Sequence, residues 1–246
     1  MLSKILTSIC LLLTLTSCGR EENLADKDSL IVATSADNPP YEYIQEGKVI
    51  GFDIDIINAI GKELGKKVVI KNLDFPALLP SLSTHNVDLV IAALTMTEER
   101  KSHIDFSDGY AATAMAVMFK KEDGFKSLNN LNGKVVGVQS GTTWETYANS
   151  LVGKIPDIRI RSLANNLILV EELKVGNVDA LIMEEMQVKK FEQNVPNLES
   201  FPLMDTKQEF AIALPKDSEV TAVINGAIKK LKESGEFVKI KEKWVK

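Results

Sequence analysis

The sequence predicts an α/β fold built from two lobes, and three observations lead to this prediction. Apolar strand-like runs alternate with amphipathic helical stretches, a pattern typical of parallel sheets covered by helices. The pattern restarts near residue 120 and ends in a strand and helices that can rejoin the first lobe. The chain has 246 residues and is 45% hydrophobic, which is enough for two cores. We therefore expect two crossings between the lobes, near Lys120 and Lys207, and a hinged cleft between them.

The first lobe is predicted over residues 30–119 and 208–246. Asp53 is expected to cap its first helix, which Gly65 ends. The continuous apolar run at 89–94 predicts a strand that is buried on both faces. In order, the predicted elements are a strand at 30–34, a hairpin at 41–52, a helix at 53–64, strands at 68–70 and 89–94 with a short helix at 76–84 between them, a strand at 114–119, and a final strand at 210–214 followed by amphipathic helix.

The second lobe is predicted over residues 120–207 and repeats the same order of elements. Thr142 and Glu145 stand three residues apart, as in a capping box at a helix start. Gly176 ends the next helix. The predicted elements are strands at 135–138, 158–160 and 180–183, with helices that begin near residue 142 and at residue 165.

The first 29 residues predict export and a membrane anchor. Lys4 precedes an apolar run at 5–16, which is too short to span a bilayer and has the length of a signal-peptide core. Leu15-Thr16-Ser17-Cys18 resembles the lipobox of bacterial lipoproteins, where the cysteine is lipidated. We thus predict a signal peptide at 1–17 and a tether at 18–29, with an ordinary secretory signal as the alternative. The folded part then contains no cysteine and no disulfide.

The composition disfavours several other functions. A net charge of -5 gives no basic field for nucleic acid. The two histidines, His85 and His103, form no metal-binding spacing, so no metal and no cofactor is predicted. Ser140-Gly141 lacks the spacing of a nucleophile elbow.

Two separated segments together suggest a clamp for a carboxylate. Arg100 follows an apolar strand and the Thr95-x-Thr97 turn, and Thr143 follows a second strand at a helix start. An arginine offers a planar fork of donors, and a helix N-terminus offers unpaired backbone N–H groups. Outside this context, an arginine in the first turn of a helix is usually an exposed surface residue.

Taken together, the motifs resemble those of the polar amino-acid solute-binding proteins of bacterial ABC importers. Each motif is weak alone, but their order and spacing from residue 30 to 246 are specific. The matching segments are Ile31 to Thr34, Pro39-Pro40-Tyr41-Glu42, Gly51 to Asp55, Asp74-Phe75, Leu78 to Leu82, Asp88 to Leu94, Thr97-x-x-Arg100, Asp105 to Asp108, Gly141-Thr142-Thr143 and Val178-Asp179-Ala180. The resemblance implies the type II periplasmic-binding-protein fold, with the ligand in the cleft.

The resemblance also implies roles for residues that would hold the backbone of a free L-amino acid. Arg100 and Thr95 correspond to the residues that bind its α-carboxylate, to which Thr143 adds a backbone N–H. Ala93, next to Leu94, is placed to offer a carbonyl to the ammonium. Glu184 stands where the family usually has an ammonium-binding aspartate, and we expect it to be ionised in the complex. Glu184 lies near a helix start, so its position is also consistent with an ordinary surface carboxylate. The position of Thr142 is also consistent with a helix cap.

The predicted side-chain pocket departs from the family pattern. Phe75 matches an aromatic residue that covers the ligand, although a core position is equally consistent with the sequence. Asn38 replaces the usual second aromatic, so Tyr41 or Trp144 would have to complete the sandwich. Ser35 replaces an acid found in some binders of basic amino acids, although Asp37 and Glu42 lie close in sequence. Gln139 is placed to hydrogen-bond an amide or a guanidinium.

These observations predict a monomeric, lipid-anchored, extracytoplasmic receptor. It would bind one free amino acid of the arginine/lysine/histidine or glutamine class and present it to an ABC permease in the cytoplasmic membrane, on the periplasmic face in a two-membrane cell. It would contact the membrane only through its lipid. Two alternatives share the fold: a cyclohexadienyl (arogenate/prephenate) dehydratase with Glu184 as general acid, and the sensor domain of a signalling receptor.

Overall fold

The computed structural model describes residues 27–244, which alternate between strands and helices. The strands are β1 (Ser29–Thr34), β2 (Asp37–Asn38), β3 (Glu42–Gln45), β4 (Lys48–Ile50), β5 (Lys67–Asn72), β6 (Leu89–Val90), β7 (Ile104–Phe106), β8 (Ala111–Thr113), β9 (Met115–Lys120), β10 (Val135–Gln139), β11 (Arg159–Leu163), β12 (Ala180–Glu184), β13 (Leu198–Pro202), β14 (Gln208–Phe210) and β15 (Ala213–Pro215). The helices are α1 (Phe52–Glu63), α2 (Leu78–Ser83), α3 (Glu98–Lys101), α4 (Thr143–Leu151), α5 (Asn166–Val175), α6 (Glu185–Asn194), α7 (Thr221–Glu233) and α8 (Glu236–Trp244).

Two five-stranded sheets define the two lobes. The first-lobe sheet has the order β5-β1-β6-β15-β7, and the second-lobe sheet has the order β11-β10-β12-β9-β13. In the first sheet β1 pairs in parallel with β5 and β6, and the late strand β15 pairs antiparallel with β6. In the second sheet β10 pairs in parallel with β11 and β12, and the early strand β9 pairs antiparallel with β12. The carboxyl ends of the parallel strands are where α/β sheets bind ligands. The predicted site residues lie in the segments that follow β1, β5, β6 and β10, or at the last residue of β10 and β12.

The first crossing between the lobes lies earlier than predicted. The strand expected at 114–119 was assigned to the first lobe, but β9 pairs in the second-lobe sheet, with Phe119 opposite Ala180. The boundary at 119/120 is therefore wrong, because β9 completes the second core. The chain crosses instead through β8, which pairs with the returning β14 in a separate two-stranded sheet. This pair forms the hinge region.

The cores follow from the apolar pattern. In α1, the buried residues Ile56, Ile57 and Ile60 pack against the first-lobe sheet. Each sheet also has a second buried face. In the first lobe it includes Leu78 and Leu82, and in the second lobe it includes Leu169 and Leu173. Burying each such aliphatic side chain contributes about 1.5–3 kcal/mol.

Several local predictions are wrong at element ends. Asp53 does not cap α1, because the cap residue is Gly51 and the Asp53 side chain points into the first lobe. The run at 89–94 is a regular strand only through Val90, since Ala93 has a φ of 44°. The strand expected at 210–214 is divided between β14 and β15. The helix start indicated near Glu184 is that of α6, for which no bounds were predicted from the sequence.

Within the described part of the chain, no helix is long and apolar enough to cross a membrane. No group of three or more His, Cys, Asp or Glu side chains in residues 27–244 is arranged to hold a metal ion.

Candidate functional site

Arg100 lies where the two lobes meet. Thr97 caps the short helix α3, and its hydroxyl accepts a hydrogen bond from the Arg100 backbone N–H at 3.1 Å. The half-buried guanidinium donates from Nη1 to the Thr95 carbonyl at 2.7 Å and from Nη2 to the Gly141 carbonyl of the second lobe at 2.9 Å. Burial lowers the pKa of Arg100 to about 10, so the group remains charged at neutral pH. A fixed cation therefore joins both walls of the cleft.

Gln208, a residue that the sequence analysis missed, connects the two predicted threonines. Its Oε1 accepts hydrogen bonds from Thr95 Oγ1 and from Thr143 Oγ1, both at 2.8 Å. Thr95 belongs to the first lobe, Thr143 begins α4 in the second, and Gln208 is the first residue of the hinge strand β14. Its place near the second crossing was the one sequence signal that could have pointed to it. The two hydroxyls are thus held close to one acceptor.

Ala93 has a strained backbone conformation at the end of the first-lobe sheet. A φ of 44° is uncommon for a residue with a Cβ, and it turns the chain away from β6. The Ala93 N–H donates to Asp53 Oδ2 at 2.7 Å, and Tyr110 donates its hydroxyl to the same oxygen at 2.7 Å. Leu94 differs, since its side chain is buried in the first-lobe core and its carbonyl accepts from the Ala211 N–H.

Glu184 is fully buried between the lobes rather than exposed on the surface. It ends β12 and caps α6, accepting a hydrogen bond from the Gln187 backbone N–H at 2.6 Å. Its other oxygen accepts from the hydroxyls of Thr113 in the hinge and Tyr41 in the first lobe, the latter at 3.2 Å. Burial raises the pKa of Glu184, and these hydrogen bonds oppose that rise.

Asp37 forms a further polar contact between the lobes. Its Oδ2 accepts from Gln139 Nε2 at 2.9 Å and from the Asn166 backbone N–H, at the start of α5, at 2.7 Å. Ser35 Oγ donates to Oδ1 at 3.3 Å, and Gln187 Nε2 donates to the Asp37 carbonyl at 3.2 Å. Burial raises the pKa of Asp37 to about 6. From the sequence, Asp37 was named only as a neighbour of Ser35. Asn166 was not predicted, and its only signal was its place at a helix start.

The remaining pocket residues belong to the first lobe. Asn38 is buried and donates from Nδ2 to Glu42 Oε1 at 2.9 Å. The Tyr41 ring packs edge-on against Phe210, with ring centroids 5.4 Å apart, so it is a core residue whose hydroxyl alone reaches the cleft. The Phe75 ring lies in the first-lobe core and also 5.9 Å below the Arg100 guanidinium, within the range of a cation–π contact. Both interpretations of Phe75 are therefore compatible with its position.

A cavity of about 1130 Å³ opens at the mouth of the cleft. Four predicted residues line it: Phe75, Arg100, Thr142 and Thr143. Thr142 also caps α4, as predicted, since its hydroxyl accepts from the Glu145 N–H at 3.2 Å. The other predicted residues are not part of this lining. Cys18 lies outside the described residues, so its lipidation stays a prediction.

Comparison with known proteins identifies the class. Residues 30–246 match the family model of bacterial extracellular solute-binding proteins, family 3, and the chain belongs to this family. The chain is 36% identical over 247 residues to the arginine-binding extracellular protein ArtP of Bacillus subtilis (strain 168), covering 98% of this chain and 96% of that protein. It is 30% identical over 247 residues to a probable histidine-binding protein of Neisseria gonorrhoeae, covering 96% and 92%.

A solved structure agrees in shape as well. An ancestral arginine-binding protein, solved with arginine bound, superposes with a TM-score of 0.85 at 37% identity, covering 89% of this chain and 99% of that one. The predicted two-lobed fold of type II periplasmic binding proteins is confirmed by this similarity.

Proposed function

We propose that this chain is the extracytoplasmic substrate-binding lipoprotein of an ABC importer for a polar amino acid of the arginine/lysine/histidine or glutamine class. The observation that carries the proposal is the position of Arg100. Its guanidinium donates to one carbonyl on each lobe, and three of its five N–H groups remain for a ligand carboxylate. A ligand held there contacts both lobes and favours their closure.

The other end of the zwitterion is proposed to bind Glu184. A carboxylate that is fully buried and already accepts three hydrogen bonds is a suitable partner for an α-ammonium group. The carbonyl of Ala93 is the second proposed acceptor, and the hydrogen bond from the Ala93 N–H to Asp53 fixes the backbone there. Each charge-assisted hydrogen bond contributes about 1.5–3 kcal/mol net. Binding of this kind requires no covalent step.

The raised pKa of Glu184 gives the dehydratase alternative a physical basis. A general acid must be protonated near neutral pH, and burial acts in that direction. Three donors converge on the same carboxyl, however, from Tyr41, Thr113 and the Gln187 N–H. Donors favour the ionised form of a carboxyl, and the Gln187 N–H can act only as a donor. The arrangement therefore supports binding better than catalysis.

The anchor and the permease complete the proposal. Cys18 would carry the lipid, and residues 18–29 would tether the two lobes to the membrane, where a permease receives the amino acid from the opened cleft. More than one acyl chain is needed for stable attachment, because a single chain binds a membrane only marginally.

A thermal-shift screen of the purified chain against the twenty L-amino acids tests the function. We expect arginine, lysine, histidine or glutamine to raise the melting temperature, with a stabilisation of about 2.7 kcal/mol at 100 times the dissociation constant. The D-enantiomer of the best ligand is the control, since it misplaces the ammonium. Absence of a shift with every amino acid would contradict the proposal, as would turnover of prephenate or arogenate.

A further inference from the structure

Asp37 is a buried anion at the lobe interface without a cationic partner among residues 27–244. Its side chain is 2% exposed, and none of the ion pairs between described residues includes it. The groups that contact its carboxylate are neutral, namely Ser35, Gln139 and Asn166. Buried carboxylates are normally paired with a cation or neutralised. Asp37 is thus a strong acceptor whose charge no described residue compensates.

Acceptors also outnumber donors around Asp37. Its Oδ1 receives only long hydrogen bonds, 3.3 Å from Ser35 and 3.5 Å from Asn166 Nδ2. Asn166 Oδ1 is buried and has no hydrogen-bond partner among residues 27–244. Most buried polar atoms in proteins are paired. Two oxygens here, Asp37 Oδ1 and Asn166 Oδ1, have acceptor capacity left, which suits a ligand group made only of donors.

One loop connects this acceptor cluster to the predicted carboxylate clamp. Gln139 holds Asp37, and Gly141, two residues later, accepts from Arg100. Two residues span at most about 7 Å. An amino acid whose α-carboxylate binds Arg100 can therefore extend its side chain to Asp37.

We infer that Asp37 selects ligands with a cationic side chain, a guanidinium or an ammonium, over neutral polar amino acids. The inference rests on the proposed function and deepens it. The α-carboxylate of the ligand pairs with Arg100, and its α-ammonium pairs with Glu184. The charge of Asp37 is then still unbalanced, and a cationic side chain on the ligand balances it. Among the other buried carboxyls of residues 27–244, Asp88 pairs with Lys27, and Asp53 and Glu42 lie within the first lobe, where Ala93, Tyr110 and Asn38 donate to them. The side-chain amide of a neutral ligand such as glutamine would bring a further hydrogen-bond acceptor to a site where acceptors already outnumber donors.

Calorimetric titration of the purified chain with L-arginine, L-citrulline and L-glutamine tests the inference. Citrulline has nearly the shape of arginine but carries no charge on its side chain. We expect the wild type to bind arginine about tenfold or more tightly than citrulline or glutamine. Asp37→Asn should weaken arginine binding about 10- to 150-fold and change glutamine binding by less than about threefold.

Asp179→Asn is the matched control. Asp179 also accepts a backbone N–H, from Val135 at 2.8 Å, but it pairs with Lys134 within the second lobe. It should leave the arginine-to-glutamine ratio unchanged.

The outcomes separate the two proposals. Citrulline or glutamine binding as tightly as arginine to the wild type would overturn the role of Asp37 and leave the proposed function intact. So would an unchanged ratio in folded Asp37→Asn. If Asp37→Asn does not fold, the wild-type comparison of arginine with citrulline decides alone. If no amino acid binds, the proposed function itself fails.

Discussion

Replacing Arg100 with lysine tests the clamp most directly, because it keeps the charge and removes the fork. The guanidinium directs separate N–H groups to the Thr95 and Gly141 carbonyls, 2.7 and 2.9 Å away, while others remain for a ligand. An ammonium offers three donors from a single point. It cannot reach one carbonyl in each lobe and also make two parallel bonds to a carboxylate.

The expected loss follows from that count of donors. A lysine keeps one hydrogen bond to the ligand carboxylate and loses the second. One charge-assisted bond contributes about 1.5–3 kcal/mol, so the dissociation constant for the best amino acid should rise about 10- to 150-fold. The lost bond to Gly141 also removes a contact that joins the lobes, so the smaller figure is a lower bound.

Calorimetric titration of both forms with the best amino acid gives the ratio. Arg161→Lys is the control, since Arg161 is exposed and pairs with Glu172 at 2.8 Å on the second lobe. It should change the affinity by less than about twofold, because exposed pairs contribute little. A wild-type affinity in folded Arg100→Lys would refute the reasoning and make Arg100 a structural link between the lobes.

Three other predictions follow from particular contacts. Cys18→Ser should move the protein from the membrane fraction to the soluble extracytoplasmic fraction with ligand binding retained; continued membrane association would exclude the anchor. Burial raises the pKa of Glu184 in the folded, ligand-free protein above its value of 4.5 in the unfolded chain. The contribution of Glu184 to the free energy of unfolding is therefore fully present below pH 4.5 and is lost as pH rises through the folded-state pKa. In Glu184→Gln the urea midpoint should therefore depend less on pH across that range, and an unchanged pH profile would show that Glu184 does not titrate there. The same variant should bind the amino acid more weakly and should not turn over prephenate or arogenate. Gly51→Ala should cost at least about 1–3 kcal/mol in urea unfolding, because Gly51 has a φ of 139° and a Cβ there would lie 2.0 Å from the Tyr41 carbonyl oxygen; Gly47→Ala, with open space around it, is the milder control.

The fold could be predicted where local periodicity and end signals agree. The strand at 30–34 and the helix that ends at Gly176 are within one residue of β1 and α5. Which sheet accepts a strand is not a local property, and this explains the wrong assignment of β9. The end of β6 has a related cause. Ile91 to Leu94 is as apolar as a strand, but tertiary contacts hold Ala93 at positive φ, and the chain turns.

The candidate site divides in the same way. The Thr97 cap brings Arg100 to the end of α3, so that part of the clamp is encoded within a few residues. Gln208 is 113 residues from Thr95, and Asn166 is 129 residues from Asp37. Such contacts depend on how the two lobes meet, which no short motif specifies. The prediction that Glu184 is ionised refers to the complex with the ligand, and it stays a prediction. In the ligand-free protein, burial raises the pKa of Glu184.

The polar contacts between the lobes involve the same groups that are proposed to bind the ligand. Arg100 donates to Gly141, Tyr41 donates to Glu184, and Gln139 donates to Asp37. A ligand adds its charges to groups that already have neutral partners, so its affinity reflects the difference between the new bonds and those it replaces. Burial shifts the pKa values of Arg100, Asp37 and Glu184, because it disfavours their charged forms. A ligand group of opposite charge offsets this cost of burial and so adds to the affinity. Selectivity should therefore depend more on the match of charges than on the area that the ligand buries.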